Sequence, residues 1–134
     1  MKDTLLLKND IKTQIPLLGE WVEIQGEKFS IPPDKVFQIN LALEEAVVNV
    51  MNYAYPGQQD MPFTVSADEE GGEMRFIIDD EGIAFDPTKA EDPDLELPVE
   101  ERPIGGLGIM LVKQLSKSVA YERKNEHNIL TIIF

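Results

Sequence analysis

The chain has 134 residues, of which 43% are hydrophobic, enough to bury the core of one domain. Its 25 acidic and 12 basic residues leave a net charge of −13, a field that repels phosphate backbones and argues against direct nucleic-acid binding. With no cysteine there is no disulfide framework and no thiolate metal site, which fits a reducing cytoplasm. The run Leu5-Leu6-Leu7 is too short for a signal peptide, and nothing approaches the roughly 20 apolar residues of a membrane span. The expectation is a single cytoplasmic domain, residues 1–134, away from the membrane.

In chain order, Thr4–Lys8 reads as a short strand. From Ile11 onward, Ile15, Leu18, Trp21, Val22 and Phe29 recur at helical spacing, with Trp21 assigned to the core. Ser30-Ile31-Pro32-Pro33-Asp34 breaks the chain and starts a second helix over Lys35–Tyr55. Val36, Leu43, Val47, Val50 and Ala54 form its apolar stripe, which Phe37, Leu41, Val48 and Met51 widen, and Pro56-Gly57 stops it. Phe63–Ala67 and Met74–Ile78 are strands joined by the connection Asp68–Glu73. Asp86–Pro103, acidic and carrying four prolines, is a long loop. Gly105-Gly106-Leu107-Gly108 opens a helix through Leu115, and strands over Ser118–Arg123 and Asn128–Phe134 flank a turn that exposes His127. The sum is an α/β two-layer sandwich with helices on one face of a mixed, mostly antiparallel sheet.

Three features carry chemistry. Gln38, Glu45, Asn49 and Asn52 share one narrow sector of the second helix. Alone, that line reads first as the solvent face of an amphipathic helix. As a site, it would join an amide oxygen suited to Mg²⁺ with a carboxylate able to take a proton. Asp79-Asp80-Glu81-Gly82 follows an apolar strand. It is an ordinary turn in isolation, or a ligand-binding Asp where the backbone must pass close by. Gly105-Gly106-Leu107-Gly108 lets phosphate approach a helix N-terminus, although it matches neither a Walker loop nor a dinucleotide fingerprint. The three together, in this order, are specific.

In these segments the chain resembles the GHKL (Bergerat-fold) ATPases, and more narrowly the bacterial anti-sigma-factor serine kinases. The N-box of that family matches Glu45-Ala46-Val47-Val48-Asn49. Its first glycine box matches Asp80 to Pro87, and its second matches Gly105 to Ile109. The resemblance implies that ATP and Mg²⁺ are bound, with Glu45 as general base and Asn49 on the metal. It implies that Asp80 accepts from the adenine amine, with Gly82, Ala84 and Thr131 beside it. Gly105, Gly106, Leu107 and Gly108 would then hold the nucleotide under a lid spanning residues 86–104. Tyr53 stands where the group often has a histidine, and Arg102 lies further from the glycine turn than the lid arginine usually does. The implied partners are a STAS-domain anti-anti-sigma protein, phosphorylated on serine, and a sigma factor. A homodimer is implied by the same route. An alternative from another class is a nucleotide-responsive binding module that switches protein partners without efficient catalysis.

Overall fold

A computed structural model of the chain describes residues 2–89 and 106–134. Strand β1 is Asp3–Lys8, followed by helices α1, Ile11–Lys28, and α2, Pro33–Asn49. Helix α2 runs into a single π-helical turn, Val50–Ala54. Strands β2, Pro62–Glu70, and β3, Glu73–Asp80, come next, then a short 3-10 turn, Pro87–Lys89. Helix α3, Gly106–Leu115, and strands β4, Ser118–Lys124, and β5, His127–Ile133, close the order. The five strands pair antiparallel throughout in the order β1-β2-β3-β5-β4. No helix among the described residues is long and apolar enough to cross a membrane.

Strand parity decides which face is buried. Phe63, Val65 and Ala67 of β2, Phe76 and Ile78 of β3, and Leu130 and Ile132 of β5 all point to the helical layer. Leu18, Trp21 and Val22 of α1, Ile39, Leu43 and Val47 of α2, and Ile109 and Val112 of α3 cover them. Trp21 meets the edge of Phe76 at a ring separation of 6.1 Å, so it belongs to the core as expected. Each large side chain buried here contributes roughly 1.5–3 kcal/mol of transfer free energy.

Several boundaries differ from the sequence reading, each for a local reason. Helix α2 starts earlier, with Pro33 in its first turn, where the missing N–H costs nothing, and Asp34 beside the helix dipole. Its α-helical part stops at Asn49, and the following turn is π-helical, with the Tyr55 N–H donating to the Val50 carbonyl at 3.3 Å. Phe37 does not widen the apolar stripe. It lies about 200° around the helix from Ile39 and is 68% exposed. The β2–β3 connection contracts to Gly71-Gly72, both with positive φ, because Arg75 pairs with Asp68 at 3.2 Å and Glu70 at 2.9 Å and holds the strands together further out.

The β4–β5 turn is likewise only Asn125-Glu126, both left-handed. His127 is therefore not an exposed turn residue; it is the first residue of β5, opposite Lys124. Its Nδ1 lies 2.6 Å from Asp79 Oδ1, and its Nε2 lies 3.2 Å from Glu81 Oε1. The hydrogen bond to Asp79, reinforced by the charges of Asp79, Glu81 and Asp80, raises the imidazolium above its usual 6.5. A raised histidine contributes stability that is complete below the unfolded value and lost as pH climbs through the folded one. Urea midpoints should therefore fall for the wild type between about pH 6 and about pH 8, and this component should vanish in His127→Gln. An unchanged slope in the variant would remove His127 as its source.

Candidate functional site

The three chemical motifs converge where the end of α2 meets the end of β3. Asn49 is 6% exposed, and no described residue hydrogen-bonds to its side chain. Across from it, Asp80 is 3% exposed at the last position of β3. Both line a cavity of about 20 Å³, together with Phe85, Pro87, Tyr121 and Asn128. A larger hollow of about 740 Å³ lies elsewhere, near Asn9, Asp60 and Tyr55, and contains none of the motif residues except the exposed Asn52 of the polar line. It lacks the buried carboxylate, so the small cavity is the chemically informative one.

Asp80 is a buried carboxylate with a defined set of donors. Its Oδ1 accepts the Gly82 N–H at 2.8 Å and the Asn128 Nδ2 at 2.8 Å. Burial raises its pKa above the usual carboxylate value, against the lowering effect of those two bonds; Asp79 adds to the rise and Arg123 opposes it. The strand end is anchored by Tyr55, whose hydroxyl donates to the Pro62 carbonyl at 3.0 Å and accepts the Glu81 N–H at 2.8 Å.

Two glycines explain why the motifs can meet. A Cβ on Gly82 would lie 2.7 Å from both the carbonyl carbon and the Cβ of Ala54, so only glycine lets the β3 exit pass the end of the π turn. Ile83 then donates its N–H to the Ala54 carbonyl at 2.9 Å. A Cβ on Gly108 would lie 2.8 Å from Glu45 Oε2. The Glu45 carboxylate thus rests against the first turn of α3, where the helix dipole favours negative charge. Gly106 and Leu107 supply backbone to that same turn. Gly105, Arg102 and the lid from residue 90 to residue 104 lie outside the described residues.

Not every residue named from sequence arrives here. Thr131 pairs with Ile77 on the face of the sheet opposite the helices, and it does not line the cavity. Strand parity places Asn128 and Leu130 inside instead. Ala84 is exposed and also stands off the cavity. Gln38 and Asn52 are exposed, so the polar line of α2 turns inward only at Asn49, with Glu45 half-buried.

The residue that sequence reasoning missed is Asn128. It is 5% exposed, and its amide bridges Asp80, the Ile83 carbonyl and the Tyr121 hydroxyl. The sequence of β5 does not mark it, because Ile129 and Ile133 make the outward parity as apolar as the inward one. Tyr53 stacks on Phe85 at 4.8 Å, and its hydroxyl is buried without a hydrogen-bond partner among the described residues.

A family model described as a histidine kinase-like ATPase domain matches residues 10–134. The chain is also similar to serine/threonine-protein kinase BtrW of Bordetella bronchiseptica, 27% identical over 96 residues, spanning 72% of this chain and 68% of that protein. Serine-protein kinase RsbW of Bacillus cereus is 25% identical over 123 residues, spanning 81% and 74% respectively. RsbW of Bacillus thuringiensis matches to the same extent.

Two substitutions test the geometry through stability alone. A carboxylate with a raised folded pKa contributes stability that is complete below its unfolded value and lost as pH rises through the folded one, so ionised Asp80 opposes folding at neutral pH. Asp80→Asn keeps an oxygen acceptor and should unfold at higher urea than the wild type near neutrality, with the difference closing at acid pH. Gly82→Ala should cost about 1–3 kcal/mol because the Ala54 carbonyl must move. A neutral Gly82→Ala would contradict the close approach.

Proposed function

The chain belongs to the histidine kinase-like ATPase domain family, and on that premise we propose that it is a Mg–ATP-dependent serine kinase of the anti-sigma type. Its substrate is a serine on a STAS-domain anti-anti-sigma protein, and its second partner is a sigma factor. We read it as a cytoplasmic homodimer, residues 1–134 forming one domain. The observation that carries the proposal is the seating of Glu45 against Gly108, one helical turn from Asn49, which shares a cavity with Asp80. Proton acceptor, phosphate-binding helix start and base-recognising carboxylate then lie along one path. The similarity to proteins named as serine kinases supports the same reading.

In this reading Asp80 accepts from the exocyclic amine of adenine, and Gly82 keeps the backbone out of the way of the base. The N–H groups of the first turn of α3 face the phosphates, where oriented dipoles stabilise charge without reorganising. The Asn49 amide oxygen is a hard, neutral ligand on a buried side chain without a described protein partner, which fits Mg²⁺. That ion would neutralise charge on the phosphates when bound. The substrate serine oxygen forms a bond to the γ-phosphorus as the bond to the β–γ bridging oxygen breaks, releasing ADP. Glu45 receives the hydroxyl proton.

A second reading, a nucleotide-responsive module that switches partners with little catalysis, draws support from the cavity, which is too small for a base as it stands. Partner affinity that is equal with ATP, with ADP and without nucleotide would eliminate it.

The kinase proposal is tested with radiolabelled Mg–ATP and the STAS proteins encoded near this gene. Phosphoserine on one of them is expected, and Glu45→Gln should lower the rate by about 10²–10⁴-fold with nucleotide affinity unchanged. Asn49→Ala should weaken Mg–ATP binding while leaving Mg-free ATP binding nearly as it was. Nucleotide binding with no transfer to any of these proteins would count against the kinase and for the module.

A further inference from the structure

We propose that Asn128 is a positioning residue that fixes Asp80 as a hydrogen-bond acceptor and so sets the choice of purine at this site. The inference rests on reading Asp80 as the contact to the base. It adds a residue and a specificity mechanism to that reading.

Asn128 Nδ2 donates to Asp80 Oδ1 at 2.8 Å and to the Ile83 carbonyl at 2.8 Å. Its Oδ1 accepts from the Tyr121 hydroxyl at 2.5 Å, from Arg123 Nη1 at 3.1 Å and from the Phe85 N–H at 3.3 Å. Both donors are used, and the oxygen faces three donors. Turning the amide over would set its NH₂ against the N–H groups of Arg123 and Phe85, and its oxygen against Asp80 and a carbonyl. Only one orientation satisfies the surroundings. Arg123 is itself fixed, since Nη1 also donates to the Gly82 carbonyl at 2.8 Å.

The consequence falls on Asp80. Its Oδ1 receives two N–H donors, from Gly82 and Asn128, and neither can accept a proton back. Those two bonds favour the ionised carboxylate and reduce, without cancelling, the rise that burial imposes on its pKa. An ionised carboxylate offers only acceptors, which match the 6-amino group of adenine and repel the 6-oxo group of hypoxanthine or guanine. Asn128 makes no use of its amide for the ligand. It selects the base through the charge state and orientation of its neighbour.

Replacing the donor reverses the argument. Asn128→Asp sets a second carboxyl group about as close to Asp80 as the amide was, and the two cannot both ionise, so they share a proton. The shared proton halves the negative charge facing the base and so weakens its repulsion of a 6-oxo group, and a second proton, taken up as the pH falls, gives the pair a donor free to meet that group.

The experiment measures dissociation constants for ATP and inosine triphosphate, which differ at the 6-position, between about pH 6 and about pH 8. The wild type should prefer ATP by about 10–100-fold with a ratio that is flat in pH. Asn128→Asp should lose most of that preference, and lose more of it at the lower pH. Tyr121→Phe, which keeps its shape and removes one donor from the Asn128 oxygen, should shift the ratio in the same direction by less, and it decides the question if Asn128→Asp does not fold. Folded variants that keep the wild-type ratio at every pH overturn the role of Asn128 and leave the reading of Asp80 intact. A wild type that binds ATP without preferring it, or binds neither nucleotide, overturns the reading of Asp80 and this inference with it.

Discussion

A carboxylate held out of water at the end of a β-strand is the constraint around which this molecule is arranged. Asp80 needs donors, and the backbone next to it can supply only one, from Gly82. The second comes from Asn128, some 48 residues away in sequence, which requires β5 to lie directly beside β3. That pairing puts the β4–β5 hairpin next to the site and brings Tyr121 and Arg123 within reach of the same amide. The approach of Gly82 to Ala54 then ties the end of α2 to the same point. The stability given up by burying Asp80 is offset in the core, where sheet and helices exclude water together.

The two ends of β3 and β5 carry a matched division of labour. Asp79 and His127 face away from the helices and pair with each other in partial contact with solvent. Asp80 and Asn128, one residue along each strand, pair on the inner face. Adjacent residues of the same strands therefore meet two different media, and period-two alternation is the whole cause. A slip of one residue in the β3–β5 register would trade partners between the two pairs, setting Asp80 opposite His127 and Asp79 opposite Asn128.

Much of this was legible beforehand. Helical spacing exposed α1 and α2, the Pro-Gly pair marked where the helical run stops beyond the π turn, and glycines marked the start of α3, because each signal is local chemistry. The assembly of Glu45, Asn49, Asp80 and Gly108 followed from motif order. What sequence did not yield was parity. On β5 both faces carry apolar residues, Ile129 and Ile133 outward and Leu130 and Ile132 inward, so nothing local told Thr131 from Asn128. Phe37 failed for a related reason: an aromatic side chain reads as core, yet its angle on α2 carries it to solvent. The π turn after Asn49 left no local trace either: the Tyr55 N–H closes it onto the Val50 carbonyl, while the Tyr55 hydroxyl is held by Pro62 and Glu81, both beyond the turn in sequence.

The cavity beside Asp80, at about 20 Å³, has room for little more than one water molecule. In the proposed reading, a purine meeting Asp80 would need more room than this. Phe85 and Pro87 line the cavity, and outward movement of Phe85 to make that room would break its stack with Tyr53. Association in that reading would have two steps, a rearrangement of these side chains and the capture of the base. At high nucleotide concentration the observed rate should level off at the rate of the rearrangement instead of rising without limit. The side chains that line the cavity would thus act as its clock.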